Sequence, residues 1–286
     1  LATAIRELRK IRDAGIKVFA VDGSHDLEPN ITTGTILIPL HNAGLINYLP
    51  RLDGGCWENE DFYIYGLQSS RSLREADEKL PKHLEEKTPK PKPNQYNILV
   101  FHGALDNPEY TPPNIKPDIR VSHLTGRFNY YAGGHVHEPK ILKFKDGILV
   151  YPGCLETTVY TEAEIPKGFY HVKVESLDNP PSIERIKIES ARKFIVEEKV
   201  FNNLPPEKIL EESSSLLSNI DTEGVVLILV LKGTLPVGVR KSQLDIPKIR
   251  SSTKKAIYTV IINQMSEPEW LKQTLTIKES KELKTM

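Results

Sequence analysis

The chain has 286 residues, 39% of them apolar and 27% charged, enough to bury two ordinary cores without covalent staples. Lys+Arg and Asp+Glu both number 38, so no global basic field advertises a nucleic-acid partner, and no apolar run reaches the length of a membrane span. The two cysteines, Cys56 and Cys154, are too few for a disulfide framework or a cysteine-based zinc module; this suits a reducing interior, and a cytoplasmic location is expected because no basic-then-apolar leader opens the chain.

Leu1 to Ala14 places Ile5, Leu8 and Ile11 on one face of a charged helix closed by Gly15. Because Leu1 already lies inside this pattern, the chain is expected to be a fragment. The apolar run Ile16 to Val21 predicts a buried strand that delivers the chain to Asp22-Gly23-Ser24-His25-Asp26. Such a polar cluster at a strand end is where α/β proteins place chemistry, and His25 beside Asp26 has the makings of a general acid with a carboxylate neighbour; a plain turn fits the same residues equally well. The spacing predicts a low-charge helix over Pro39 to Leu49, too apolar for a free surface and suited to burial or a subunit contact. A strand over Asp61 to Leu67 and a charged helix over Arg71 to Glu86, limited or kinked by Pro81, precede an extended Lys/Pro connector over Lys87 to Asn94.

Gln95 to Gly103 reads as a buried strand ending in His102-Gly103, after which a Pro- and Asn-rich loop leads to Tyr130-Tyr131-Ala132-Gly133-Gly134-His135-Val136-His137. If the residues before the glycines form a strand, His135 and His137 leave it on the same side. An isolated His-x-His is more often a pair of turn histidines bonded to carbonyls, so context decides. Ile141 to Phe144 and Ile148 to Tyr151 form a hairpin around Asp146-Gly147, followed by Pro152-Gly153-Cys154-Leu155-Glu156. Cys154 reads as a small buried residue, with no partner histidine evident near it in sequence.

After Ile165 the character changes. Half-buried strands are predicted over Gly168 to Glu175, Ile183 to Glu189 and Lys193 to Val200, and Pro205-Pro206-Glu207 opens a helix to Asn219. Val225 to Leu231 is the most buried strand of the chain; a helical stretch over Ser242 to Lys255 and a strand over Ala256 to Asn263 complete a small α+β domain, and Lys272 to Met286 reads as a tail. No catalytic cluster lies in this half. The expected division is 1–164 and 165–286.

His25, His102, His135 and His137 all fall at or just after strand ends of the first domain, a coincidence worth more than any one of them. Converging imidazoles with polar oxygens suit a hydrolytic site for manganese, iron or zinc. The order Gly-Ser-His-Asp, strand-His-Gly, Gly-His-Val-His and Tyr-Pro-Gly-x-Leu-Glu resembles the calcineurin-like metallophosphoesterases, and within them the SbcD or Mre-eleven nucleases of DNA double-strand-break repair. That resemblance implies a β-sandwich flanked by helices with a small α+β capping domain that binds DNA. It implies a two-metal site clamping the oxygens of a phosphodiester, with His102 and His135 on one manganese ion and His137 on the other. His25 would stabilise charge or protonate the leaving oxygen, with Asp26 orienting it. Ser24 stands where the family usually has an Asn metal ligand, and its hydroxyl is a shorter, weaker donor. The implied partners are DNA, a second copy in a homodimer, and an SbcC-type SMC-like ATPase, with no membrane involved. The family's opening Asp-x-His and Gly-Asp-x-x-Asp are absent from the sequence, so the first strands of the sandwich are expected to be missing and this piece alone to hold little metal and show little activity. A non-catalytic, dimeric DNA-end-binding scaffold is the alternative to a DNA exo- and endonuclease.

Overall fold

The computed structural model describes residues 1–26, 34–177, 179–253 and 255–268. The predicted tail from Lys272 and the first residues of the apolar Thr32 stretch lie outside the described residues. Helix α1 (Ala2–Asp13) turns Ile5 and Leu8 towards Val18, Ala20, Leu40, Leu45 and Tyr48. Gly15, at φ +76°, ends it in the left-handed conformation that only glycine adopts at no steric cost. The predicted strand after it contracts to β1 (Phe19–Ala20). Its partner comes from the stretch read as one helix over Pro39 to Leu49: α2 (Leu37–Asn42) stops there because Gly44 takes φ +64°. The next residues extend into β2 (Asn47–Tyr48), parallel to β1. Apolar content alone could not separate these two outcomes.

A six-stranded sheet organises the rest of this unit. Its strands are β3 (Cys56–Glu58), β4 (Phe62–Gly66), β5 (Tyr96–His102), β6 (Tyr130–Gly134), β7 (Lys140–Phe144) and β8 (Gly147–Tyr151). The spatial order is β3-β4-β5-β6-β8-β7, with β4, β5, β6 and β8 parallel and the two edges antiparallel. Alternation sends Tyr63, Tyr65, Leu99, Phe101, Tyr131, Leu149 and Tyr151 to one face, where they bury against Ala76 and Leu80 of α3 (Leu73–Glu86). Ser72 caps α3, its Oγ accepting from Glu75 N at 3.2 Å. The helix continues through Pro81, with Leu80 and His83 buried on either side of it. The loop from Ala104 to Leu124 is tied to α3 by Arg120, whose Nε and Nη2 donate to the two oxygens of Asp77 at 2.7 Å each.

The antiparallel hairpin β9 (Gly168–Lys173) and β10 (Ser182–Lys187) belongs to the same compact unit, which comprises Leu1–Leu155 and Ile165–Glu189. Arg185 makes the link, donating to Pro152 O at 2.8 Å and Pro166 O at 2.7 Å. The other unit comprises Glu156–Glu164 and Ser190–Met286. Here β11 (Lys193–Asn202), β12 (Val225–Thr234) and β13 (Tyr258–Asn263) form a parallel sheet in that order, with α4 (Pro206–Asn219) joining the first two and α5 (Ile246–Arg250) preceding the third. The continuous apolar run of β12 is buried on both faces. Leu227, Leu229 and Leu231 meet Ile209, Leu217 and Ile249, while Val226, Ile228 and Val230 meet Tyr160, Phe194 and Val196. Among the described residues, no helix is long and apolar enough to cross a membrane.

Leu99 is 1% exposed at the centre of the six-stranded sheet, whereas Ile141 on its edge is 46% exposed. Leu99→Ala is therefore expected to lower unfolding free energy by about 2–5 kcal/mol, and Ile141→Ala by no more than about 0.5 kcal/mol. Urea titration of the two variants checks this, and equal midpoint shifts would contradict the placement of the core.

Candidate active site

The parallel register sets the site. Pairing of His102 with Gly134 aligns the carboxyl ends of β5 and β6, so the last residue of one strand lies beside the first residue beyond the other, His135. Alternation turns His102 away from the Leu99 and Phe101 face. Its ring then needs space that side chains would fill. A Cβ on Gly134 would sit 2.7 Å from His102 Nδ1, and one on Gly23 would sit 3.0 Å from Cε1. Glycine at both positions lets the Asp22 to Asp26 turn and the end of β6 close on the imidazole.

His135 adopts φ +83°, a left-handed conformation costing a non-glycine residue about 1–2 kcal/mol. The bend brings its ring to 5.2 Å from that of His102, centroid to centroid, at 80°. Behind His135 lies Asp118, whose Oδ2 is 3.8 Å from His135 Nδ1 while its Oδ1 accepts from Ala104 N at 2.6 Å. Sequence reasoning passed over Asp118. The available signal was an acidic residue placed directly before the buried Ile119 in a Pro-rich loop, a position that solvent-exposed acids rarely occupy.

The turn carrying Ser24 and His25 is fixed from below. Asp26 Oδ2 accepts from Gly23 N at 2.9 Å, and Tyr48 donates to Asp22 Oδ1 at 2.6 Å. Asp22 is fully buried, and its Oδ2 has no protein partner among the described residues. Burial raises the Asp22 carboxyl above the ordinary range. Asp26 thus closes its own turn through Gly23, Ser24 lies half-buried in that turn, and His25 is exposed at its tip.

Electrostatics tie these residues into one cluster. Burial holds His102 down to about 4, helped by His135, His137 and His25 and opposed by Asp26. Burial also lowers His135, again with His137 and His25 contributing. In the other direction, burial pushes the Asp118 carboxyl up to about 6 against the hydrogen bond from Ala104. Desolvation therefore keeps the inner imidazoles neutral, with lone pairs available. His102 Nε2 is buried and has no hydrogen-bond partner among the described residues, an arrangement that costs about 1–3 kcal/mol unless something else occupies the lone pair.

Since the folded value for His102 lies below the unfolded one of about 6.5, the unfolded chain binds more protons between the two. The stability contributed by neutral His102 is complete above that window and is lost as pH falls through it towards about 4. Imidazole NMR of the metal-free chain should show one histidine that stays neutral until about pH 4. A cluster titrating uniformly near pH 6.5 would contradict the burial of His102.

No protein-family model matches the chain. Against curated proteins it is 31% identical over 205 residues to the DNA double-strand break repair protein Mre11 of Methanocaldococcus jannaschii, a match covering 68% of this chain and 52% of that protein. It is 26% identical over 251 residues to the protein of the same name from Sulfurisphaera tokodaii, covering 85% of this chain and 61% of that one. An uncharacterized metallophosphoesterase of Bacillus subtilis, YhaO, is 24% identical over 242 residues, 81% of this chain and 55% of its own length. The chain thus spans about half to three-fifths of the length of these relatives. With its histidines gathered at the carboxyl ends of parallel strands, the chain belongs to the Mre11 family of calcineurin-like metallophosphoesterases.

Proposed function

We propose that the protein hydrolyses phosphodiester bonds of DNA as a manganese-dependent exo- and endonuclease of double-strand-break repair. The observation that carries this reading is the close pairing of the His102 and His135 rings, 5.2 Å apart, where glycine at positions 23 and 134 leaves room for the His102 ring and its buried Nε2 has no hydrogen-bond partner among the described residues. Two neutral imidazoles that, among the described residues, neither donate to carbonyls nor bond to each other fit a divalent ion. His102 and His135 would hold one ion, with the Ser24 hydroxyl as a weak oxygen donor, and His137 would hold the second. Bound there, such ions neutralise phosphate charge and activate water.

The chain's own residues do the rest. His25, exposed at the tip of a rigid turn, is free to meet a phosphate and pass a proton to the leaving oxygen. The Asp26 to Gly23 bond holds the loop that aims it. Asp118 accepts from the Ala104 backbone and stands 3.8 Å from His135 Nδ1, near enough to orient the ring once a hydrogen bond forms. Residues 165–286 would serve as the capping and DNA-binding part. A homodimer and an SbcC-type SMC-like ATPase partner in the cytoplasm complete the proposal; its support is family membership.

The test is a manganese-dependent digestion of linear duplex DNA by the protein and by its His25→Ala variant. Metal-dependent release of nucleotides is expected, with His25→Ala lowering kcat by roughly 10²–10⁴ and leaving metal content unchanged. Equal inactivity of both proteins would overturn the enzyme reading and leave a DNA-binding scaffold.

A further inference from the structure

The sequence gives Cys154 no obvious partner, yet the fold brings one. The segment after β8 turns back on the loop after β6. Gly153 takes φ +83°, and a Cβ there would lie 2.9 Å from His137 O. Cys154 N then donates to that same carbonyl at 3.2 Å. The result places the Cys154 Sγ and a ring nitrogen of His137 within 4.8 Å of one another. Metal–nitrogen bonds of ~2.0–2.1 Å and metal–sulfur bonds of ~2.3 Å at a tetrahedral angle place two such atoms ~3.6 Å apart. A side-chain adjustment of no more than about 1 Å separates the observed pair from a chelating one.

Resting on the metal-site reading above, we infer that Cys154 is a metal ligand, its sulfur and the His137 imidazole together holding one divalent ion. The sulfur is preset for this. Cys154 is 7% exposed, and Lys167, 8% exposed, donates from Nζ to Sγ at 3.4 Å. The N–H to sulfur bond from Lys167 orients a thiolate, and the ammonium offsets its charge in a buried setting. Binding transfers the thiol proton to solvent. A thiolate is a softer donor than the carboxylates and hydroxyls that suit manganese, so the His137 position is expected to accept zinc and cobalt as well as manganese.

Cobalt(II) provides the probe, because sulfur ligation gives a near-ultraviolet charge-transfer band while nitrogen and oxygen ligation gives visible bands alone. With two cysteines in the chain, Cys56→Ser leaves Cys154 as the one thiol. Titrating metal-free Cys56→Ser protein with cobalt is expected to develop both sets of bands, and the further change Cys154→Ser to remove the near-ultraviolet band. Visible bands without the charge-transfer band in Cys56→Ser protein would overturn the sulfur ligand and leave the histidine site standing. Persistence of that band in the double variant would overturn it as well. Absence of any cobalt spectrum would overturn both this inference and the metal site.

Discussion

The site depends on one close approach: an imidazole at the end of β5 packed between two backbone segments that carry no side chain at the point of contact. His102 can occupy that place because the parallel pairing of β5 and β6 fixes its neighbour as Gly134, and because the Asp22–Tyr48 bond holds Gly23 against its other side. A methyl group at position 134 would have to displace His102 or separate the strands. The sheet is therefore both the hydrophobic core of its unit and the device that sets histidine spacing. Its Leu99 and Phe101 face packs the apolar core, and its opposite face carries His102.

From this packing follows the electrostatic character of the cluster. Withdrawing imidazoles from water disfavours their charged forms, and placing several together adds mutual repulsion of the same sign. The inner rings are neutral Lewis bases as a result. Asp118, with its carboxyl raised by the same desolvation, stands where a carboxylate orients a histidine instead of competing with it. Neutral nitrogens with unspent lone pairs in a rigid, partly dry recess favour cation capture more than proton storage. The left-handed backbone of His135 is a local cost that the two flanking strands sustain.

Much of this was legible in the sequence because it is local. The amphipathic spacing of Ile5 and Leu8, the charged helical stretch from Arg71 to Glu86, and the seven-residue apolar run of β12 each declare an element within a short window. Strand-end histidines near glycine, as in His102-Gly103 and Gly134-His135, could likewise be recognised one by one. What escaped was settled by pairs distant along the chain. The end of α2 at Gly44 was hidden in a uniformly apolar stretch, and the residues after it were claimed by β1 from 28 positions earlier, Phe19 pairing with Asn47. The attachment of β9 and β10 to the first unit rests on Arg185 reaching Pro152 O. Asp118 meets His135, and Cys154 meets His137, only through the folding of loops whose composition signals nothing beyond turn formation.

If the inner histidines bind a metal, they do so because His102 is held neutral opposite His135, its Nε2 without a hydrogen-bond partner among the described residues. Anomalous diffraction at the manganese edge from crystals grown with that metal tests it most directly. An anomalous peak at bonding distance from ring nitrogens of both His102 and His135 is the predicted result. Ordered rings donating to backbone carbonyls, with no peak between them, would contradict it.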